Sequence, residues 1–180
     1  IYFSDVAGFT TMSERLGPEK LTELLNVYLS SMTQVIINSG GIIDKYIGDA
    51  VMALWGAPRR LEDHAARGCK AALACRQELH RLQPRLKEIA PELIRIGADG
   101  KPLYNLIEAR AGLNTGIVTA GNMGSHMRFS YTVMGDAVNQ AARYEGANKE
   151  YGSWIMIGES TEQMVRGQFV VRPLDLLIVK

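Results

Sequence analysis

Two aspartates stand where the sequence pattern predicts chain turns beside β-strands. Asp5 follows an apolar strand-like run inside the segment FSDVAGFT, and a small, glycine-containing turn comes directly after it. Asp49 lies at the tip of a predicted hairpin, between β-prone runs at 42–46 and 51–54. If the two strands are neighbours, these carboxylates suit a pair of Mg²⁺ ions about 4 Å apart, an arrangement used in phosphoryl transfer. The alternative is ordinary turn chemistry, in which each aspartate only stabilises its own turn.

An amide and a guanidinium stand four residues apart in the segment YTVMGDAVNQAAR, residues 131–143. The pattern predicts a helix over residues 136–144 that begins after Gly135, so Asn139 and Arg143 project from the same face one turn apart. These groups are suited to binding the ribose and a phosphate of a nucleotide. A solvated helix face explains the same spacing, and the pattern alone leaves both interpretations open.

The elements that must position these side chains alternate between helices and strands. Apolar residues with helical spacing predict an amphipathic helix over residues 21–36 and a second helix that begins after Asp63, its possible cap, and continues to Leu86. The remaining predicted elements are an opening strand at 1–3, the hairpin over 42–54, a strand pair at 109–115 and 117–121, a strand at 154–157, a helix at 160–165 and a strand-like end over 169–180. This order predicts an α+β fold in which helices pack on a largely antiparallel sheet.

Composition and charge limit the classes of protein to which the chain can belong. Its 180 residues fit one domain, 1–180, and 47% hydrophobic with 22% charged residues is ordinary for a globular core. A formal net charge of +1 provides no strong field for nucleic acid, and no apolar run reaches the ~20 residues that span a bilayer. Cys69 and Cys75 lie in a predicted helix without zinc-site spacing, which favours a reducing compartment. Both ends are strand-like, so we expect a domain cut from a longer chain, with a loop insertion over 96–105.

Five segments, in order along the chain, together resemble one known family. They are FSDVAGFT at 3–10, KYIGDAVMALWG at 45–56, GLNTGIVTAGNMGS at 112–125, YTVMGDAVNQAAR at 131–143 and EGANKEYG at 145–152. In sequence and separation they resemble the class III nucleotidyl cyclase catalytic domain over nearly the whole chain. The resemblance implies a ferredoxin-like α+β domain that forms a head-to-tail homodimer with two active sites at the interface, so that monomers are inactive. It also implies a cytoplasmic catalytic domain, with an upstream sensor or membrane domain in the parent protein.

The resemblance assigns roles to particular residues. Asp5 and Asp49 look like the two metal-binding aspartates, with the Val6 backbone carbonyl as a further ligand, for two Mg²⁺ or Mn²⁺ ions per active site. Asn139 looks like the residue that orients the ribose, and Arg143 like the one that neutralises charge growing on the α-phosphate in the transition state. In the family's arrangement, the aspartates of one chain face Lys45, Thr132, Asn139 and Arg143 of the other, so Lys45 and Asp49 share a hairpin but serve different sites.

Lys45 and Thr132 match the family's two purine-reading positions. Adenine offers an acceptor at N1 and an amino donor at C6, so a lysine donor complements adenine, whereas guanylyl cyclases usually carry glutamate there. Thr132 departs from the aspartate of many adenylyl cyclases, but its hydroxyl can still accept from the adenine amine. This threonine resembles a bacterial branch that is often stimulated by bicarbonate, which we therefore expect as a regulator. Lys180 resembles a phosphate-contacting lysine, which the family follows with a final strand that this chain lacks.

The resemblance implies an adenylyl cyclase, which converts ATP into 3′,5′-cyclic AMP and pyrophosphate by attack of the ribose 3′-oxygen on the α-phosphorus. Three alternatives stay open: a guanylyl cyclase, a non-catalytic cyclase-like module that binds a nucleotide or a partner, and a diguanylate-type cyclase or polymerase-palm relative. A regulatory module is expected to have lost a metal aspartate or the arginine, and this chain has kept them. A diguanylate cyclase is expected to carry a GG[DE]EF-like hairpin, where this chain has YIGD at 46–49.

Overall fold

Strands and helices alternate along the chain, whose structure is a computed structural model that describes residues 1–94, 106–125 and 127–176. The strands are β1 (Tyr2–Val6), β2 (Ile42–Ile47), β3 (Ala50–Leu54), β4 (Ala109–Leu113), β5 (Thr119–Ser125), β6 (Arg128–Met134) and β7 (Ile155–Ile157). The helices are α1 (Phe9–Arg15), α2 (Pro18–Asn38), α3 (His64–Ile89), α4 (Asp136–Tyr151) and α5 (Glu159–Val165), with a 3₁₀ turn at Pro91–Leu93. Within these ranges, no helix has the length and apolar character needed to cross a membrane.

The main sheet has five strands in the order β2-β3-β1-β4-β7. Its pairs β2–β3, β3–β1 and β1–β4 are antiparallel, and only β7 joins in parallel, beside β4. This confirms the predicted α+β fold with helices on a largely antiparallel sheet. Because β1 is central, a residue near its end lies beside both the β2–β3 hairpin and β4.

Helices α2 and α3 cover one face of the sheet. Along β1 the side chains alternate, so Tyr2 and Val6 enter the core beneath these helices, while Phe3 points to the opposite face. Helix α2 begins with Pro18 in its first turn and presents a fully buried stripe at helical spacing: Leu24, Tyr28, Met32 and Ile36. This apolar layer holds β1 and the hairpin rigidly in place.

Helix α4 lies on the opposite face, where Phe3, Met52 and Val138 belong to a second apolar cluster. The close approach of α4 to β4 depends on Gly112. A Cβ atom at this position would overlap the helix backbone at Ala141 and Glu145, so only glycine fits. The contact fixes where the polar residues of α4 lie relative to the end of β1.

Strands β5 and β6 form a separate two-stranded ribbon, with Thr119 opposite Met134 and Ser125 opposite Arg128. The predicted pairing of 109–115 with 117–121 is therefore wrong. β4 pairs with β1 and β7 instead, because the mostly exposed TAGNMGS sequence of β5 has no apolar face to bury in the main sheet.

Two predicted helices differ at their ends. Helix α4 continues further than predicted, to Tyr151, because Asn148 is fully buried and its amide donates a 2.9 Å hydrogen bond to a β4 carbonyl. The helix then ends at Gly152, whose φ of 59° is left-handed. Asp63 directly precedes α3, but its carboxylate accepts from Nε of Arg67 at 2.7 Å and does not cap the helix.

The predicted terminal strands also differ from the structure. The first strand extends to Val6, so Asp5 lies inside β1, opposite Arg110 of β4, and not beyond the strand end. Residues 169–176 form no strand. Lys180 and the predicted loop over 96–105 lie outside the described residues.

Candidate active site

Asp49 occupies the turn between β2 and β3, and its side chain is directed at the end of β1. Gly48 supplies the left-handed φ of 65° that the two-residue turn needs. The Asp49 carboxylate accepts a 2.9 Å hydrogen bond from the Val6 amide, and the residue is only 8% exposed. The turn thus places this acid against β1 in a fixed orientation, whereas the hairpin pattern alone predicted only its position at the tip.

The Asp49 and Asp5 carboxyl groups are neighbours in one chain. Burial, followed by the hydrogen bond to Asp5, raises the pKa of Asp49, and the bond from the Val6 amide offsets only part of this shift. Two carboxylates close enough to share a hydrogen bond repel each other when both are ionised. A divalent cation relieves the repulsion, so the pair has the chemistry of a metal site.

Glu145 adds a third carboxyl group to this region from α4. Burial, and next the negative charge of Asp5, raise the pKa of Glu145 to about 7, while Arg110 lowers it. In the sequence, Glu145 stood out only as the first residue of the segment EGANKEYG, and no role was predicted for it. The acidic character of the site therefore extends beyond the two predicted aspartates.

The donor set fits a magnesium-type ion that shares its coordination with a substrate. Within the described ranges, no three His, Cys, Asp or Glu side chains lie close enough together to hold a metal ion by themselves. Asp5 and Asp49 supply two carboxylates, and the predicted Val6 carbonyl would add a backbone oxygen. Mg²⁺ usually keeps several waters and binds through one or two carboxylates plus substrate phosphates. The pair therefore suits an ion that arrives with a nucleotide.

Replacing Asp49 by asparagine is expected to stabilise the metal-free domain at pH 8. The amide keeps an acceptor for the Val6 N–H but carries no charge to bury beside Asp5. The pKa of Asp49 is higher in the folded chain than the ordinary 3.8, so wild-type stability falls as the pH rises from about 4 through about 7. Urea unfolding should give the variant about 1 to 2 kcal/mol more stability at pH 8 and much less advantage at pH 4.

A matched variant and added metal make this pH test specific. Asp63→Asn changes an exposed aspartate, so we expect it not to reproduce the gain at pH 8. Mg²⁺ or Mn²⁺ should raise the melting temperature of the wild type more than that of Asp49→Asn. An equal effect of Asp49→Asn at both pH values would contradict the inferred carboxyl pair.

Lys45 and Thr132 meet around a residue that the sequence analysis did not select, Asp44. The Thr132 hydroxyl donates a 2.7 Å hydrogen bond to Oδ2 of Asp44, and Nζ of Lys45 lies 3.2 Å from Oδ1. The Asp44 side chain is completely buried. The structure therefore joins the two predicted purine-reading residues, one from β2 and one from β6, within a single chain. The only sequence signal was an acid directly before the lysine.

Asn139 and Arg143 form a third group, on the exposed face of α4. Their positions alternate with the buried residues Ala137, Val138 and Ala141, which hold the helix against the sheet. This confirms that the amide and the guanidinium share one face, a turn apart. Both residues are thus accessible to a ligand from outside the domain.

One hairpin takes part in two of these groups, since Asp44 contacts Thr132 of β6 and Asp49 contacts Val6 of β1. An acidic pair beside a strand end, a buried hydrogen-bonded polar group and an exposed amide with a guanidinium have the chemistry expected of an enzyme site for a phosphorylated ligand.

Comparison with known proteins identifies the family. The model of the adenylate and guanylate cyclase catalytic domain matches residues 1–180. The sequence is 33% identical over 172 residues to adenylate cyclase 1 of Rhizobium meliloti (strain 1021), an alignment that covers 96% of this chain and 24% of that protein. The chain belongs to the adenylate and guanylate cyclase catalytic domain family. It spans less than a third of the length of the curated relatives it matches.

Solved structures show the same fold. The chain is similar to the adenylyl cyclase CyaB from P. aeruginosa, with a TM-score of 0.78 and 34% identity, over 92% of this chain and 78% of that one. It is also similar to the guanylyl cyclase Cya2, with a TM-score of 0.81 and 31% identity, over 99% of this chain and 85% of that one. Because cyclases named for either purine share the fold at similar identity, the choice of base has to be argued from the site.

Proposed function

We propose that this chain is the catalytic domain of an adenylyl cyclase, which converts ATP into 3′,5′-cyclic AMP and pyrophosphate where two copies of the domain meet. The observation that carries the proposal is that one chain keeps both the Asp5–Asp49 pair and the Lys45–Thr132 group. A non-catalytic module has no need for a buried carboxyl pair whose repulsion lowers the stability of the fold. The acidic pair thus favours an enzyme.

The reaction requires that the nucleotide be held with its 3′-oxygen in line with the α-phosphorus. Asp5 and Asp49 would hold two Mg²⁺ or Mn²⁺ ions, which when bound acidify the 3′-hydroxyl and neutralise the triphosphate. The Val6 amide fixes the Asp49 carboxylate, and Asn139 orients the ribose. The 3′-oxygen bonds to the α-phosphorus, the bond from that phosphorus to the α,β-bridging oxygen breaks, and pyrophosphate leaves with the electron pair. The hydroxyl proton passes to water, and Arg143 stabilises the charge growing on the α-phosphate.

The residues that contact the base favour ATP. Lys45 is an ammonium and can only donate, so it matches the acceptor N1 of adenine and opposes the N1–H of guanine. Thr132 accepts from the adenine amine with the oxygen that donates to Asp44. Cyclic AMP is therefore the product that this chemistry supports.

Dimerisation is supported by exposed apolar side chains on and beside the β5–β6 ribbon. Met127 is 97% exposed, Phe129 65% and Met134 58%, and Ile117, just before the ribbon, is 98% exposed. Concentrated apolar exposure of this kind marks an interaction surface. We infer that a second copy covers it in a head-to-tail dimer. The aspartates of one copy then face four residues of the other: Lys45, Thr132, Asn139 and Arg143.

The wider setting follows from the same proposal. We infer that the domain, residues 1–180, works in the cytoplasm as one part of a longer signalling protein with an upstream sensor or membrane domain. Stimulation by bicarbonate stays a prediction from Thr132, and phosphate contact by Lys180 stays a prediction from the resemblance.

Replacing Lys45 by glutamate is expected to shift the preference from ATP toward GTP. Glutamate accepts from the N1–H and amine of guanine and opposes N1 of adenine, so the ratio of kcat/KM for ATP to that for GTP should fall about 10-fold or more. Chromatography of the cyclic products measures this ratio. Lys70→Glu makes the same change of charge on an exposed position of α3 and should leave the ratio unchanged. A ratio unaltered in a folded Lys45→Glu dimer would overturn the assignment of Lys45 to the base.

A further inference from the structure

Asp44 is a buried carboxylate with two partners that matter for the choice of base. Its side chain has no exposed surface, and its two oxygens face the Thr132 hydroxyl at 2.7 Å and the Lys45 ammonium at 3.2 Å. A buried carboxylate without partners is costly, so Asp44 favours the conformations in which Thr132 and Lys45 stay next to it. Asp44 is therefore the link between β2 and β6 at this site.

A β-bulge explains how neighbouring residues of one strand reach the same place. In regular strand geometry, Asp44 and Lys45 would point to opposite faces. The register shifts between residues 43 and 45, where Ile43 pairs with Ala53 and Lys45 already pairs with Met52. Asp44 is the extra residue of this irregularity, and such an insertion redirects side chains. The bulge thus lets the carboxylate and the ammonium approach each other.

The hydrogen bond to Asp44 removes the ambiguity of the threonine hydroxyl. A hydroxyl has one proton and can serve as donor or acceptor, so Thr132 alone would fit the amine of adenine or the carbonyl of guanine. A carboxylate accepts only, so the single Thr132 proton is committed to Oδ2 of Asp44. Only lone pairs then remain for the substrate, and they suit the C6 amine of adenine.

The contact with Lys45 has the complementary effect. Its Nζ lies near Oδ1 of Asp44 as an ion pair, but that oxygen accepts no hydrogen bond within the described part of the chain. The Lys45 side chain is 44% exposed. The carboxylate therefore attracts the ammonium while the N–H groups of Lys45 stay available for an acceptor such as N1.

We propose that Asp44 is a specificity-determining positioning residue, which fixes Thr132 as an acceptor and Lys45 as a donor and so makes the site selective for adenine. This inference rests on the proposed function, because it concerns the nucleotide of that same site. Asp44 acts through its two neighbours and makes no contact with the base itself.

The test is Asp44→Asn, compared with the wild type on three substrates: ATP, GTP and the triphosphate of purine riboside, which lacks a group at C6. An asparagine amide can donate a hydrogen bond to the Thr132 oxygen. The Thr132 hydroxyl proton is then available to donate to the carbonyl of guanine. We expect the ratio of kcat/KM for ATP to that for GTP to fall about 10-fold. Purine riboside triphosphate cannot contact Thr132 through C6, so we expect its kcat/KM to change much less than the ratio for ATP and GTP does.

Control variants separate this role from a structural one. Asp63→Asn changes an exposed aspartate that pairs with Arg67 at the start of α3, and it should keep the wild-type ratio. Thr132→Val removes the hydroxyl while keeping Asp44 and should lower the ratio as well, so the inference can be tested even where Asp44→Asn folds poorly. When Asp44→Asn is added to Thr132→Val, it should lower the ratio by less than it lowers the ratio of the wild type. Equal losses on all three substrates would make Asp44 merely structural and overturn the inference.

The outcomes also separate this inference from the proposed function. An active wild type with an unaltered ratio in both Asp44→Asn and Thr132→Val overturns the inference alone. A wild type that forms no cyclic product from any nucleotide overturns the proposed function. In that event, competition of ATP and GTP with a fluorescent nucleotide measures the ratio of the two binding affinities. An affinity ratio that both variants leave unchanged again contradicts the role of Asp44.

Discussion

Asp49→Ala is expected to lower cyclic nucleotide formation by on the order of a thousand-fold or more. The variant loses one carboxylate of the pair that would hold the metal ions, together with the acceptor for the Val6 amide at the end of β1. Because the ions would supply both activation of the 3′-oxygen and neutralisation of the triphosphate, we do not expect the remaining carboxyl groups of Asp5 and Glu145 to compensate for the loss. Product formation at saturating ATP and Mg²⁺, followed by chromatography, measures the effect.

The loss has to be one of chemistry and not of folding. The buried Asp49 charge is unfavourable in the metal-free chain, so we expect Asp49→Ala to keep its fold and its dimer, as judged by circular dichroism and sedimentation. Asp63→Ala removes an exposed carboxylate and should retain nearly all activity. If a folded Asp49→Ala keeps more than about a tenth of the wild-type rate, the aspartate pair is not the metal site.

Mixing two inactive variants is expected to restore activity. In the proposed dimer, Asp49→Ala would lack the acidic half of the site and Arg143→Ala the phosphate-binding half, so we expect each homodimer to be inactive. In a mixed dimer, the intact aspartates of one chain would meet the intact arginine of the other at one of the two sites. Half of randomly mixed dimers therefore regain one site, and the mixture should reach about a quarter of the wild-type rate.

A matched mixture shows whether the recovery has this origin. Asp5 and Asp49 lie side by side in a single chain, so they belong to the same half of the site. Asp5→Ala mixed with Asp49→Ala should stay inactive, because every site in every dimer then lacks an aspartate. Native mass spectrometry confirms that chains have exchanged. Exchanged dimers of Asp49→Ala with Arg143→Ala that stay inactive would contradict a site shared between copies.

The sequence predicted the elements with strong local patterns. Helix α2 and the β2–β3 hairpin were expected from the helical spacing of apolar residues and from two β-prone runs around Gly48 and Asp49. The proximity of Asp5 and Asp49 was expected only on the condition that their strands are neighbours, and the β1–β3 pairing now fulfils it. Short helix α1 was missed because its seven residues carry little periodicity.

The features that the sequence could not predict depend on tertiary contacts. Strand pairing was wrong for β5, since the two-residue alternation of a strand does not reveal its partner. The buried position of Asp49 depends on its hydrogen bond with the Val6 amide. Val6 is distant along the chain, so no local pattern reveals this contact. Asp44 was overlooked because a regular strand would turn it away from Lys45, and only the bulge reverses this. Glu145 becomes part of the acidic region through the close packing of α4 at Gly112.

The products that the chain forms from ATP and GTP show whether it is an adenylyl cyclase. We would incubate the chain at high concentration with equal amounts of ATP and GTP and with Mg²⁺ or Mn²⁺, and separate the products by chromatography with mass detection. We expect cyclic AMP and pyrophosphate as the main products, with a specific activity that falls when the protein is diluted below its dimerisation range. Mainly cyclic GMP would contradict the reading of the base, and no cyclic product from a chain shown to be dimeric would contradict the assignment as an active cyclase.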